Sequence, residues 1–439
     1  MRILITVAPM AAHLYPSVPL AWALQSSGHE VRIASNSSLV EQINAVGIAS
    51  VDLGEGASPS VPVTEEELDL YSAALAFEAG SDDDQLWRAT RYYMVAAHKR
   101  YHPDGQGESE LLDNLVSAAV GWRPDIVIWD PACPAGSVAA RESGAVSARM
   151  LWGPDYPGWV RKRTREIEAV APLSIDLEND PLSATLTPIF KRYGYRLCDE
   201  MVFGDITLDP LPLQLPRSDA IRQIPIRWVA YTGAGCIPTW LSQPPPRPRV
   251  CLSLGVTGRS LLNGSDPRIT AVFDAVADME VEVIATVNAE QLDVNAAIPG
   301  NVRILDYIPL AQVMPTCSAV IHHGGFGTFF AAALHRVPQM IVMDKLGSAL
   351  NSARYLKERN AGVVLQSNGL NSTEVREQLS KLLTDPLLSD GTEEIYADIT
   401  SRPTPSEIVP VLERIVAHRR SVTGLQQIAG RTAEDAMIR

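Results

Sequence analysis

Two histidines, His322 and His323, run straight into Gly324-Gly325-Phe326-Gly327-Thr328 within the stretch AVIHHGGFGTFFAAAL, directly after a short apolar run. Glycine allows close approach to a ligand and φ values that other residues resist. The helix expected to begin near Thr328 presents unpaired N–H groups and a positive dipole end, a seat for phosphate. The His323 imidazole and the Thr328 hydroxyl add hydrogen-bond donors. A second glycine turn, LSLGVTGRS at 252–260, sits at the first strand of the same half of the chain. Together the two turns read as a nucleotide-binding domain, although either alone is compatible with a plain strand–helix connection. HHGGFGT is not a Walker A loop, since no Gly-Lys-Ser/Thr follows, and it lacks the Gly-x-Gly-x-x-Gly spacing of a dinucleotide fingerprint.

The other candidate chemistry lies near the N-terminus. APMAAHLYP puts His13 in the loop after the first strand, and Asp130 ends the strand IVIWD. Imidazole titrates near neutrality, which suits a general base. At the carboxyl edge of one sheet the pair could form a dyad, the carboxylate fixing the tautomer and stabilising the imidazolium. Asp130 reads equally well as a cap for the next helix. SDDDQ (81–85) contains Asp-x-Asp, but no strand precedes it, and Asp82 with Gln85 reads as a capping box. His98 and His102 have metal-compatible spacing without an acidic third ligand, and Pro103 ends their helix. No catalytic metal is expected.

The elements that must position these residues alternate. RILITVA (2–8), a helix over about 17–26 and EVRIA form a βαβ unit; DIVIW (125–129), a helix around 135–142 and VSARML (146–151) repeat it. Such alternation implies parallel sheets covered on both faces. After SQPPPRPR (242–249), an extended linker, it restarts with VCLSL, VEVIAT, NVRIL, AVIH, QMIVM and GVVL. Segment 64–104 is charged, aromatic and helical in composition, an insertion beside the first sheet; 156–200 is also largely helical. SEIVPVLERIV (406–416) is an amphipathic helix, and the polar tail beyond about 419 is expected to fray.

A chain of 439 residues exceeds what one hydrophobic core usually serves, so two domains are expected. A net charge of −14 without a long basic run argues against nucleic-acid or anionic-membrane partners. The scattered cysteines at 133, 198, 236, 251 and 317 form no CxxC spacing and read as thiols in a reducing cytoplasm. The N-terminus makes a poor signal peptide, because His13, Pro16 and Pro19 interrupt it. No apolar stretch reaches membrane-spanning length.

VPLAWAL…GHEVRIAS (18–35), RPDIVIWDP (123–131), MLWGPD (150–155), RVCLSLGVTGR (249–259), EVIATVNAEQL (282–292), IPGNVRILDYIP (298–309) and VIHHGGFGT (320–328) carry a resemblance over nearly the whole chain. It resembles the GT-B glycosyltransferases of actinobacterial natural-product pathways, closest to helper-dependent TDP-deoxysugar transferases such as the erythromycin desosaminyltransferase. The resemblance implies an α/β protein of two Rossmann-like domains facing each other across a cleft. It assigns an N-terminal acceptor-binding domain (1–235), a linker (236–249), a nucleotide-sugar domain (250–404), a helix crossing back (405–420) and a tail (421–439).

It further implies an inverting, metal-independent transfer from a TDP-deoxysugar, with His13 as base beside Asp130. His323 would reach a phosphate, and the amides of Gly324, Gly325 and Gly327 with Thr328 would bind the pyrophosphate. Gly255, Val256 and Thr257 would line the opposite side, Ile308 would hold the nucleobase through backbone contacts, and Ser348 would join the donor site. The loop MDKLGSALNSARY lacks the carboxylate that many members place near 347–349; Asp344 comes a few residues early. An apolar aglycone would bind the first domain, with Tyr15, Trp87, Tyr92 and Trp152 as wall candidates, each also readable as an ordinary core aromatic. A haem-monooxygenase-like helper, contacting 64–104, and a second copy of the chain are the candidate protein partners. A sugar-nucleotide 2-epimerase and a non-catalytic nucleotide-sugar-binding partner stay open as alternatives.

Overall fold

The computed structural model of the protein describes residues 1–55, 81–88, 90, 101, 110–170, 181–212, 222–255, 265–293, 297–343 and 349–437. Two all-parallel sheets carry it. The first holds β1 (Arg2–Thr6), β2 (Glu30–Ser35), β3 (Ala49–Asp52), β4 (Ile126–Trp129), β5 (Val146–Met150), β6 (Ile206–Asp209) and β7 (Gln223–Pro225), in the order β3-β2-β1-β4-β5-β6-β7. The second holds β8 (Arg249–Ser253), β9 (Glu282–Thr286), β10 (Val302–Leu305), β11 (Ala319–His322), β12 (Gln339–Met343) and β13 (Gly362–Gln366), in the order β10-β9-β8-β11-β12-β13.

The central strands are buried along their whole length, as in IVIW of β4 and QMIVM of β12. Strands covered on both faces bury every side chain, so they read as unbroken apolar runs. Alternate residues point to opposite faces. Ile3, Ile5, Ile126 and Ile128 join one apolar cluster, whereas Leu4 and Val127 join another. That second cluster continues through Trp228 to Phe329 and Phe330 of the other half, with Trp228 stacked on Phe330 at 4.6 Å.

Both sheets reverse their strand order at the centre, between β1 and β4 and between β8 and β11. Thr6 lies opposite Trp129 in the first, and His322 opposite Ser253 in the second. Chains leaving neighbouring strands at such a point diverge, opening a crevice beyond the carboxyl ends. Topology alone therefore sets the segments with His13 and Asp130 side by side, and likewise the two glycine turns.

The helix Pro405–Met437 returns to the first sheet, where Ile408, Val409, Leu412 and Val416 pack in one cluster with Ile3, Leu20 and Val146. Glu413 pairs with His29 at 3.0 Å, and Arg420 with Asp125. The helix continues to Met437, through the residues expected as a tail. After Pro410 the sequence has no proline, and it is rich in Ala, Gln, Arg and Glu, which are good helix formers.

One correction concerns 81–85. Ser81, not Asp82, caps the helical residues 82–88, its hydroxyl accepting from the Asp84 N–H at 3.2 Å. Asp82 instead pairs with Arg354 of the second half at 2.8 Å. His98 and His102 lie outside the described residues.

Candidate active site

His13 sits on the short helix Ala11–Leu14 that follows β1, and its side chain is buried. Its Nδ1 lies 2.5 Å from Asp130 Oδ2. The same oxygen accepts from the Ala8 N–H at 3.3 Å. Oδ1 accepts from the Ala132 N–H at 2.7 Å and from the Trp152 indole N–H at 2.6 Å. Burial pushes the Asp130 pKa up, but the charge of His13 and hydrogen bonds from His13, Ala132 and Ala8 outweigh it, and the net direction is down. An ionised carboxylate only accepts, so Nδ1 of His13 is the donor and Nε2 becomes the ring's acceptor. An imidazole in that tautomer is set to take a proton at Nε2. The dyad borders a recess with largely apolar walls, including Ile5, Pro16, Met150 and Leu151.

The second sheet ends in the glycine turn. β11 ends at His322, and the helix Phe326–Ala333 begins after Gly325, which carries no side chain to cap it. Gly324 has φ +91°, and a Cβ there would strike Ala349. His322 is fully buried, with Nε2 2.9 Å from Gln339 Oε1 and Nδ1 accepting from the Gly324 N–H at 3.1 Å. Because a backbone N–H can only donate, the ring proton belongs on Nε2, where it is given to Gln339. The Ser352 hydroxyl lies 2.7 Å from the Gly324 carbonyl and 2.9 Å from that of Ala349. His322 and Ser352 thus hold the turn from both sides. The His323 ring is wedged between the two glycine turns, since a Cβ on either Gly255 (φ +78°) or Gly325 would overlap it.

Burial, aided by the neighbouring His323, drives the His322 pKa down from 6.5 to about 3. The unfolded chain takes up a proton near pH 6.5 that the folded chain refuses until about pH 3. Stability therefore falls as pH drops through that window, at up to about 1.4 kcal/mol per unit. Between pH 7 and 5 the protein should lose about 2 kcal/mol more than a His322→Gln variant does. Urea midpoints at the two pH values check this, and equal losses would count against a neutral, buried His322.

Other sequence-derived site residues are placed as follows. Thr328 is buried in the first turn of the helix, and Gly327 is exposed. The Ile308 side chain is buried with Met314, Val320 and Ala331, which leaves its backbone as the part available to a base. Trp87 is corrected: its side chain is fully buried with Leu112 and Leu115, so it packs as a core aromatic. Tyr15 is half-buried, packs edge-on against Tyr231 at 5.2 Å and hydrogen-bonds Tyr307 of the second half. Trp152 is brought to the dyad itself, its ring 4.2 Å from that of His13. Val256, Thr257, Ser348 and Tyr92 lie outside the described residues. Among the described residues no three His, Cys, Asp or Glu side chains cluster as a metal site would require.

Sequence reasoning missed the struts: Gln339 behind His322, Ser352 behind Gly324, and the buried Arg149–Asp155 pair behind Trp152. The available signal was a polar residue inside an apolar strand, Gln339 in QMIVM and Arg149 in VSARM. Burying such a group demands a partner.

Two Rossmann-like sheets, with a His–Asp pair at the switch point of one and a glycine turn leading into a helix at that of the other, have the architecture of a GT-B glycosyltransferase. Models of the N-terminal and C-terminal domains of the Erythromycin biosynthesis protein CIII-like family match residues 22–255 and 270–415, and the chain belongs to that family. It is 36% identical to 10-deoxymethynolide desosaminyltransferase of Streptomyces venezuelae over 96% of this chain and 98% of that one. It is also 36% identical to aclacinomycin-T 2-deoxy-L-fucose transferase of Streptomyces galilaeus, over 96% and 97%. Among solved structures, glycosyltransferase VinC in complex with dTDP matches with TM-score 0.77 and 32% identity, covering 95% of this chain and 100% of that one.

Proposed function

We propose that the protein moves a deoxysugar from a TDP-sugar to a hydroxyl, or another nucleophile, of a polyketide-type aglycone, with inversion and without a metal. The buried His13–Asp130 hydrogen bond, which leaves Nε2 as proton acceptor, carries this reading. As the acceptor oxygen attacks the anomeric carbon, its proton passes to His13 Nε2, and Asp130 stabilises the imidazolium. The bond from the anomeric carbon to the phosphate oxygen breaks with its electrons, and TDP departs. The charge developing on the diphosphate meets the amides of Gly324, Gly325 and Gly327, the Thr328 hydroxyl and His323, at the start of a helix. Gly255, Val256 and Thr257 close the opposite side, Ile308 holds the base through its backbone, and Ser348 joins the donor site.

Residues 1–235 bind the acceptor and 250–404 the donor, in this reading. Tyr15, Tyr92 and Trp152 stay as acceptor-facing aromatics, and a haem-monooxygenase-like helper docks on 64–104. A homodimer is the other assembly the reading admits. No helix among the described residues is long and apolar enough to cross a membrane, and we place the enzyme in the cytoplasm.

Purified protein offered a panel of TDP-deoxysugars and polyketide aglycones, with and without a helper, tests the proposal through TDP release. Release that requires the aglycone and accompanies glycoside formation is expected. Donor consumption without aglycone would point to an epimerase, and donor binding without product to a non-catalytic partner.

A further inference from the structure

We infer that Trp152 is a positioning residue for the His13–Asp130 dyad, held in place by the buried Arg149–Asp155 pair; this rests on His13 being the base. The loop 151–155 leaves β5 next to β4, the strand that ends at Asp130. Trp152 does two things there. Its indole N–H occupies Asp130 Oδ1 at 2.6 Å, and its ring lies against the His13 ring at 4.2 Å with a tilt of 54°.

Each contact constrains the base. With Oδ1 bonded to Trp152 and Ala132, the carboxylate cannot swing to exchange oxygens, so Oδ2 stays on His13 Nδ1. The indole also draws on charge that would otherwise act on His13, the ionisable partner that Asp130 serves. The ring packs against the imidazole at a tilt and limits its rotation. A tryptophan suits both tasks, combining a large apolar body with one N–H donor.

The loop is fixed from below. Arg149 donates to Asp155 twice, at 2.8 and 2.7 Å, with side chains only 1% and 2% exposed. Asp155 also accepts from the Gly158 N–H at 3.0 Å, and Arg149 Nε donates to Thr207 Oγ1 at 3.3 Å. An ion pair buried this deeply is weak evidence of stabilisation, because desolvation offsets its attraction. Its consequence here is geometric, since it closes the span between β5 and the following helix. At the loop's centre Gly153 packs against Phe326, the first residue of the helix after the glycine turn, where a Cβ would lie 3.7 Å from the ring. One short loop therefore touches the base in the first lobe and the start of that helix in the second.

Trp152→Phe keeps a ring over His13 and removes only the N–H, whereas Trp152→Ala removes both. With Trp152→Phe we expect kcat to fall about tenfold and acceptor KM to stay within about twofold. Trp152→Ala should lower kcat further, by about a hundredfold. The His13 Nδ1–H proton resonance, assigned by its absence in the NMR spectrum of His13→Gln, should move downfield in Trp152→Phe, because the Asp130 carboxylate regains the charge that the indole N–H no longer draws. That readout needs no turnover, so it decides the inference even if sugar transfer itself is not found. An unchanged His13 Nδ1–H resonance in folded Trp152→Phe overturns the inference. So does a loss confined to acceptor KM, which would leave Trp152 an acceptor wall and nothing more.

Discussion

His13→Ala should lower sugar transfer about 10²- to 10⁴-fold, the span a positioned general base supplies, with TDP affinity unchanged. The acceptor hydroxyl must lose its proton as it attacks, and Nε2 of His13 is the acceptor that the hydrogen bond to Asp130 leaves available. Removing the ring also strands a buried carboxylate, since Asp130 loses its His13 partner while Ala8, Ala132 and Trp152 still hold it. An uncompensated buried charge costs about 3–5 kcal/mol, so the alanine variant should also melt earlier. His13→Gln separates the two effects. Its amide can donate to Asp130 but cannot take a proton near neutral pH, so stability should recover while turnover stays low. Steady-state TDP release, with calorimetric TDP binding and urea midpoints, reads all three quantities. Transfer within tenfold of the parent in both variants would remove His13 from the reaction.

On the donor side, His323→Leu should weaken TDP binding about 10- to 150-fold, the equivalent of one hydrogen bond to a charged group. The ring is wedged against Gly255 and Gly325, where no other side chain fits, so it stands at the meeting point of both glycine turns. Leucine fills most of that wedge without offering a donor, which keeps the loss electrostatic. His323→Ala should lose the same affinity and also some stability, because it leaves a void between the turns. Calorimetric titration with TDP measures it, and a Kd for His323→Leu within about threefold of the parent would contradict the phosphate contact.

The parts of this account that were readable in the sequence share a physical cause. Strands such as IVIW and QMIVM are buried on both faces and so appear as uninterrupted apolar runs. β3 (ASVD), β6 (ITLD) and β7 (QIP) are three or four residues long and mix polar with apolar positions, which leaves no periodicity to detect. Asn371 caps the helix Ser372–Thr384 as its residue type suggests, accepting from the Glu374 N–H at 3.0 Å. The cap at Ser81 was not legible, because three consecutive aspartates beside it compete for the same role.

The site divides in the same way. His13, Asp130 and the glycine turns stand out by residue type at strand ends. The different employments of His322 and His323 depend on what lies behind each, Gln339 for the first and Gly255 for the second, and adjacency in sequence hides that. Aromatics were least legible. Trp87, Tyr15 and Trp152 look alike as isolated rings, yet one is core, one braces the two halves and one holds Asp130. Only their partners in space tell them apart.

The most direct measurement is a crystal structure with thymidine diphosphate bound. The account predicts diphosphate oxygens about 3 Å from the amides following His323, with the His323 ring beside them and His13 Nε2 facing the same gap from the opposite lobe. Diphosphate bound away from that helix start, or a His13 ring turned so that Nε2 points back into its own sheet, would contradict it.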